Sequence, residues 1–293
     1  DRSTDKTAEI VQKYANNQSN IKLINVANDA EKFNIPGKAG AVHLGVEYSC
    51  GEIIFVTDAD CKIRPQWIKK ILPIYKDRKI GFVTSFTNVI GNRLFDKIQA
   101  IEWIYMHTMA MGGVGLDQPL GCYGNNLTFR KDYYLDFGGY KSIPFSVTED
   151  LALQKAFHNN KYQIYYCIDE DILVDTKPCK NLKEYFAQHH RWARGGLSLG
   201  WKAAIFVLSS FAIWAGMLYF LIVGNFLCFL SLLFIRIVGD FALISPSLLI
   251  LNRAKLLLFV PLAVLFFLIV EFAIPFVILK RDVIWKNQVF RTT

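Results

Sequence analysis

The chain is expected to fold as an α/β domain, a mostly parallel sheet with helices on both faces, followed by an apolar helical region suited to a membrane. Three observations carry this expectation. Short apolar runs alternate with helix-spaced segments over residues 1–180, the pattern of strands joined by crossover helices. Charge is divided unevenly: residues 1–200 hold 25 Lys/Arg against 22 Asp/Glu, whereas residues 201–293 hold 8 against 3, set at the edges of apolar runs. Residues 203–235 contain no charge at all; as one helix they would be about 50 Å long, well beyond a bilayer core.

The elements follow in order. Ser3 or Thr4 can cap a helix from about Asp5 to Ala15. This opening stretch, DRSTDKTAEIVQKYA, has the character of the loop and helix after a strand, so the first strand is expected to lie ahead of residue 1. IKLINVA (21–27) is a short strand, and GKAGAVHLGVEYSC (37–50) a helix that packs through Ala41, Leu44 and Val46. Residues 52–57 form a buried strand. PQWIKKILPIYKD (65–77) places Pro in a first helical turn, and IGFVTSFTNVI (80–90) is the next strand. Residues 94–112 form a helix with one apolar face, and the Gly- and Asn-rich stretch 121–140 is loop-like. A helix over 146–160 starts with Thr148 at its N-cap, a strand follows at 162–167, and 181–201 is an aromatic, basic amphipathic helix at the interface.

The last part, 202–293, is expected to hold three or four membrane helices. A break near Gly224-Asn225 separates the first from a second that reaches Ile250 and contains Arg236 and Asp240, four residues apart and able to pair. Residues 256–279 give another, interrupted only by Pro261 and Glu271. The whole chain, 293 residues, is 53% hydrophobic and 14% aromatic with net charge +8, too apolar for an ordinary soluble protein. Its basic excess sits at membrane edges, which argues against nucleic acid as a partner. Six cysteines, with neither a CxxC pair nor His/Cys metal spacing, fit a reduced, cytosolic setting for the first 200 residues.

Three motifs point to chemistry. In EIIFVTDADCKIRPQWI (52–68) an apolar strand ends in Asp58 and Asp60. A solvated turn would explain an isolated D-x-D, but the carboxyl end of a strand is where open α/β sheets bind ligands. Two carboxylates there can share a hard divalent cation that keeps positions open for phosphate oxygens. Thr148-Glu149-Asp150 would suit any helix start, since acids favour the first turn; inside a pocket the same carboxylates can act as a general base. In QHHRWARG (188–195), Gln188, Arg191 and Trp192 fall at i, i+3 and i+4 on one helical face. Arg suits a diphosphate and Trp offers a flat wall to a sugar, although a membrane-surface helix also favours both. His189 and His190 are expected at the surface or headgroup level.

The ordered set of Asp1 in DRSTD, D-x-D, T-E-D and Q-x-x-R-W resembles the family 2 glycosyltransferases, above all the membrane-embedded synthases of cellulose, chitin and hyaluronan and related bacterial enzymes. The likeness runs from residue 1 to about 200, with the later helices and WKNQVF (285–290) adding to it. It implies a GT-A fold and an inverting transfer of sugar from a UDP-sugar to a polysaccharide or lipid-linked acceptor. It also implies Mg²⁺ or Mn²⁺, and a multi-pass protein of the inner or plasma membrane with residues 1–180 as a cytosolic catalytic domain. Asp1 and Lys38 resemble donor-binding residues, and Asp58 and Asp60 the pair that meets the metal and diphosphate. Asp150 resembles the base, with Glu149 beside it. Gln188, Arg191 and Trp192 resemble the diphosphate- and acceptor-framing motif, assisted by Arg194. The loop reads CYGNN, unlike the cellulose synthase form, and its Asn125 and Asn126 are candidates to bind the acceptor. A non-catalytic scaffold or export subunit of the same fold, or a metal-dependent phosphoryl-transfer enzyme, are the alternatives.

Overall fold

The computed structural model describes residues 1, 3–26, 35–285 and 288–291. Helices Thr7–Asn17 (α1) and Gly37–Tyr48 (α2) precede strand Ile53–Val56 (β1). Trp67–Ile71 (α3) continues as a 3-10 turn, Leu72–Lys76, where Pro73 lacks the N–H that a longer α-helix would use. Strands Ile80–Ser85 (β2) and Thr87–Val89 (β3) lead to the long helix Leu94–Gly115 (α4). Leu127–Arg130 (β4), Lys131–Asp136 (α5), Glu149–Asn159 (α6), Gln163–Cys167 (β5) and Val174–Thr176 (β6) complete the α/β part. Leu182–Gly196 (α7) then enters the apolar helices Trp201–Ile222 (α8), Phe226–Ile250 (α9) and Val260–Val277 (α10). A hairpin of Asp282–Trp285 (β7) and Gln288–Arg291 (β8) follows; Lys286 and Asn287 of the WKNQVF stretch lie outside the described residues.

The main sheet runs β1-β4-β2-β5. β1, β2 and β5 point the same way, and β4 alone is reversed between β1 and β2, so the sheet of this α/β fold is mixed. β4 falls inside the stretch expected to be loop. It is only four residues long and buried on both faces, so it shows no alternation to betray it. Residues 80–90 are likewise two strands: the chain leaves the main sheet at Phe86, and β3 pairs with β6 in a separate parallel ladder. Residues 21–25 of the expected strand 21–27 join no ladder among the described residues, and Ala27 lies outside them. Apolar patterning alone does not make a strand, which exists through a hydrogen-bonded neighbour.

One core fills the space between sheet and α6, where Phe82, Phe129 and Leu127 meet Leu153 and Phe157. A second holds Trp67, Ile71 and Tyr75 against Ile80, Val83 and Val174. A third joins the α/β part to the apolar helices: Ile98, Ile101 and Ile104 of α4 pack on Ile244, Leu248, Val264 and Phe267. Among the described residues two stretches are long and apolar enough to cross a membrane, Phe226–Ile250 and Ala254–Val277. The expected break falls at Gly224, φ +72°, and Asn225 caps α9 by accepting from the Cys228 N–H. Arg236 donates to Asp240 (2.7 Å) and also to Glu271 of α10 (2.6 Å), so the expected pair is a cluster of three.

Candidate active site

Lys38 stands in the first turn of α2, which begins at Gly37 with φ +70°. Its ammonium lies 2.5 Å from Asp58 and 3.6 Å from Glu149, and donates to the Gly124 carbonyl at 3.2 Å. One cation therefore joins the end of β1, the start of α6 and the loop before β4. Asp150 is held by two backbone donors: Oδ2 accepts from Gly124 N–H (2.7 Å) and Oδ1 from Leu151 N–H (2.8 Å). A side chain at Gly124 would crowd both groups, since a Cβ would lie 2.8 Å from Lys38 Nζ, displacing the ammonium, and 3.3 Å from Asp150 Oδ2. Its N–H and C=O thus hold the candidate base and the cation at the same time.

Burial, and then the Asp150 carboxylate, push the Glu149 carboxyl above the usual range. Burial works against the charge on Lys38, but Glu149 and Asp58 outweigh it and its pKa rises, so the ammonium is retained. Asp60 is exposed beside Asp58, and ligand atoms of Asp58, Asp60 and Cys61 lie within 4.8 Å of one another. Asp58 is paired with the Lys38 ammonium, and with Asp60 beside it offers hard oxygen donors of the kind Mg²⁺ or Mn²⁺ takes.

α7 approaches the start of α6 very closely. A Cβ at Gly195 would collide with the Thr148 side chain. Thr148 occupies the N-cap position, yet its side chain caps no helix N–H and its hydroxyl meets Ser146 Oγ at 3.2 Å instead. Gly195→Ala is expected to lose about 1–3 kcal/mol of stability by overpacking. Thr148→Ala should recover part of this loss, and thermal melting of the single and double variants measures both.

The three motif side chains do not share one direction. Arg191 donates to the Val147 carbonyl (3.1 Å) near Glu149. Trp192 packs edge-on against Trp103 (5.4 Å between ring centres) and Tyr123 (6.0 Å). Gln188 instead accepts from Cys179 Sγ at 3.5 Å. A turn of helix spans enough angle that neighbours at i, i+3 and i+4 can meet different partners when the helix is enclosed on several sides. Arg194 lines a separate cavity of about 760 Å³, with Lys155 and Ser198. A narrow gap among Lys38, Glu149 and Arg191 is also bounded by Phe290, whose ring stacks on Phe145 at 5.3 Å, so the β7–β8 hairpin returns to this cluster.

Other expected residues lie elsewhere. Asp1 is exposed ahead of α1. Asn125 is buried and accepts from Thr87 Oγ1 (2.8 Å). Asn126 is fully buried: its amide donates to Phe86 O (2.7 Å) and Ile172 O (3.0 Å) and accepts from Trp67 Nε1 (2.9 Å). Those bonds stitch the point where the chain changes sheets and engage both ends of the Asn126 amide within the fold. His189 and His190 are buried rather than at the surface, because α7 is packed between α4 and the chain beyond α10. His190 faces the Lys280 carbonyl at 2.7 Å, and His189 faces Glu102 at 3.0 Å. His107, missed in the sequence, sits beneath Tyr123 (4.3 Å between ring centres). Its Nε2 accepts from the Thr87 N–H, and burial pushes its pKa down to about 3, so it is a neutral packing residue. Nothing in the local pattern distinguishes Gly124, Gly195 or Glu102 from ordinary loop and helix residues.

Known proteins of similar sequence include the beta-monoglucosyldiacylglycerol synthase of Nostoc sp. (strain PCC 7120), 27% identical over 208 residues. The match takes in 67% of this chain and 41% of that protein. The catalytic polypeptide of a UDP-forming cellulose synthase from Dictyostelium discoideum is 27% identical over 184 residues, 54% of this chain and 16% of that one. The chain thus spans less than half the length of these relatives. Among solved structures, glucosyl-3-phosphoglycerate synthase from Mycobacterium tuberculosis, in complex with Mn²⁺ and UDP-glucose, aligns with TM-score 0.44 at 16% identity, over 67% of this chain and 64% of that one. Residues 1–293 match the sequence model described as glycosyl transferase family 21. The resemblance carried by the acidic and Q-x-x-R-W motifs is therefore borne out, and the chain belongs to glycosyl transferase family 21.

Proposed function

We propose that this protein is an inverting glycosyltransferase that moves a hexose from a UDP-sugar to a hydroxyl of a lipid-linked acceptor at a membrane. The supporting observation is the single cluster in which Lys38 joins Asp58 to Glu149, while Gly124 joins Lys38 to Asp150. A donor diphosphate at the end of β1 would then lie close to a carboxylate able to act on an acceptor. Each Asp150 oxygen accepts one backbone hydrogen bond and keeps a lone pair for substrate. As the acceptor oxygen bonds to the anomeric carbon, its proton passes to Asp150 and the bond to the diphosphate oxygen breaks. Lys38 and Arg191 face the charge that develops on the departing UDP. A metal held by Asp58 and Asp60 would supply further neutralisation of the diphosphate. One displacement with one base inverts the anomeric centre.

A lipid acceptor is favoured by the glycolipid synthases among the relatives and by the apolar helices packed directly on α4. In this reading α7 lies at the interface, α8 to α10 cross the inner or plasma membrane, and the α/β part is cytosolic. Asp1, Gln188 and Arg194 would complete the donor side and Asn125 the acceptor side when substrates are bound.

The test is UDP release by the full-length protein in nanodiscs with a panel of UDP-sugars, in the presence of Mn²⁺, Mg²⁺ or EDTA. Release with one donor is expected, stimulated by diacylglycerol-type lipids and abolished by EDTA or by Asp58→Asn with Asp60→Asn. Release stimulated only by oligosaccharides would move the acceptor to a polymer. Absence of turnover with every donor, lipid and oligosaccharide would instead favour a non-catalytic scaffold.

A further inference from the structure

The wall that holds Trp192 is anchored by a buried carboxylate on another helix. Tyr185, His189 and Trp192 succeed one another at i, i+4 and i+7 along α7 and form one stripe turned towards α4. Opposite them stands Glu102 of α4, 7% exposed. Its Oε1 accepts from the Tyr185 hydroxyl (2.5 Å) and faces His189 Nε2 at 3.0 Å, while His189 Nδ1 faces the Tyr185 carbonyl at 2.8 Å. Both ring nitrogens thus face oxygen atoms, one of the Tyr185 backbone and one of Glu102. The imidazole lies on the Tyr185 ring (3.9 Å between centres) and against Trp192 (5.1 Å). Trp192 in turn meets Tyr123, the residue before the glycine that holds Asp150.

Packing alone does not explain this choice of residues. A buried carboxylate is costly unless paired and fully hydrogen-bonded, and an apolar side chain of similar size often serves stability as well or better. Glu102 keeps one oxygen, Oε2, buried with no hydrogen-bond partner. His107, in the same aromatic cluster, shows the cheaper arrangement, a neutral ring satisfied by backbone and hydroxyl groups. What the Glu102 contact adds is direction: hydrogen bonds fix the rotation of α7 about its axis, whereas apolar contacts tolerate slippage.

We propose that Glu102 and His189 are positioning residues for the acceptor, a buried pair that sets the rotation of α7 and so holds the Trp192 ring against Tyr123, next to the glycine that binds Asp150. The role rests on the glycosyl-transfer reading above; the geometry it requires does not.

The experiment uses full-length protein in nanodiscs, labelled with 5-fluorotryptophan, with the Trp192 resonance assigned through Trp192→Phe. Glu102→Gln keeps the shape and removes the charge, and Tyr185→Phe removes one hydroxyl as a milder second variant. With melting close to wild type, both are expected to shift or split the Trp192 fluorine resonance, Glu102→Gln more strongly. Glu102→Gln should also raise the acceptor KM about ten-fold while the affinity for UDP with Mn²⁺ stays within about two-fold. An unmoved Trp192 resonance in both variants overturns the proposal, as does an equal loss of donor and acceptor affinity alongside a lowered Tm, the mark of packing only. Should the wild type transfer no sugar, the glycosyl-transfer reading fails, and the fluorine spectrum still decides whether Glu102 positions Trp192.

Discussion

Asp150→Asn is expected to lower the rate of sugar transfer by roughly 10²–10⁴-fold while binding of UDP with Mn²⁺ stays near wild type. The argument is geometric. Both carboxylate oxygens accept backbone N–H groups, Oδ2 from Gly124 and Oδ1 from Leu151, so the carboxylate is fixed in place before any substrate arrives. An amide of the same shape cannot take a proton from an acceptor hydroxyl. It also places an NH₂ group against one of the two N–H donors, which costs about 1–3 kcal/mol of local stability in addition. In the proposed mechanism the donor side rests on Lys38, whose ion pairs with Asp58 and Glu149 do not involve Asp150. Pre-steady-state transfer and equilibrium UDP binding, measured on the same preparation, separate the two effects. Transfer that survives the substitution would remove Asp150 from the role of base.

The second large effect concerns stability. Arg236 is buried among apolar helices and serves two acids at once, Asp240 one turn along α9 and Glu271 on α10. Arg236→Leu would leave two carboxylates with no compensating charge in surroundings that cannot solvate them, a loss of about 3–5 kcal/mol. Because α9 and α10 together carry the core that packs on α4, the loss should reach the α/β part and appear as a lowered melting temperature for the whole chain in detergent. Replacing all three charges, Arg236→Leu with Asp240→Asn and Glu271→Gln, is expected to restore most of the stability, since removing a buried cluster outright costs far less than breaking it. Equal melting of the single variant and the wild type would show that the cluster is solvated and contributes little.

Much of the architecture was legible because it rests on local rules. The charge-free run, the Gly224-Asn225 break, and the alternation of apolar strands with periodic helices all follow from short-range patterns of burial and chain conformation. Strand 52–57 and its acidic end were visible for the same reason: apolar residues that stop abruptly at two carboxylates mark the edge of a core. β4 was not visible. Its four residues sit between a Gly/Asn turn and a helix, and a strand buried on both faces carries no alternation. The expected strand at 21–27 failed in the opposite way, having the pattern without a ladder among its described residues.

The candidate site residues divide along the same line. Sequence by itself pointed to a glycosyltransferase family, through the order and spacing of its acidic and Q-x-x-R-W motifs, and it nominated the side chains proposed as ligand, base or wall. Only the tertiary structure decided which of them meet. It brought Lys38, Asp58, Glu149, Asp150 and Arg191 into one cluster, turned Gln188 towards Cys179, locked Asn126 into the crossing between two sheets, and set His189 on Glu102. Spacing along a chain reports periodicity within one element. A contact between residues 38 and 58, 124 and 150, or 102 and 189 depends on how separate elements pack, and packing is settled by the burial of whole faces rather than by any one motif.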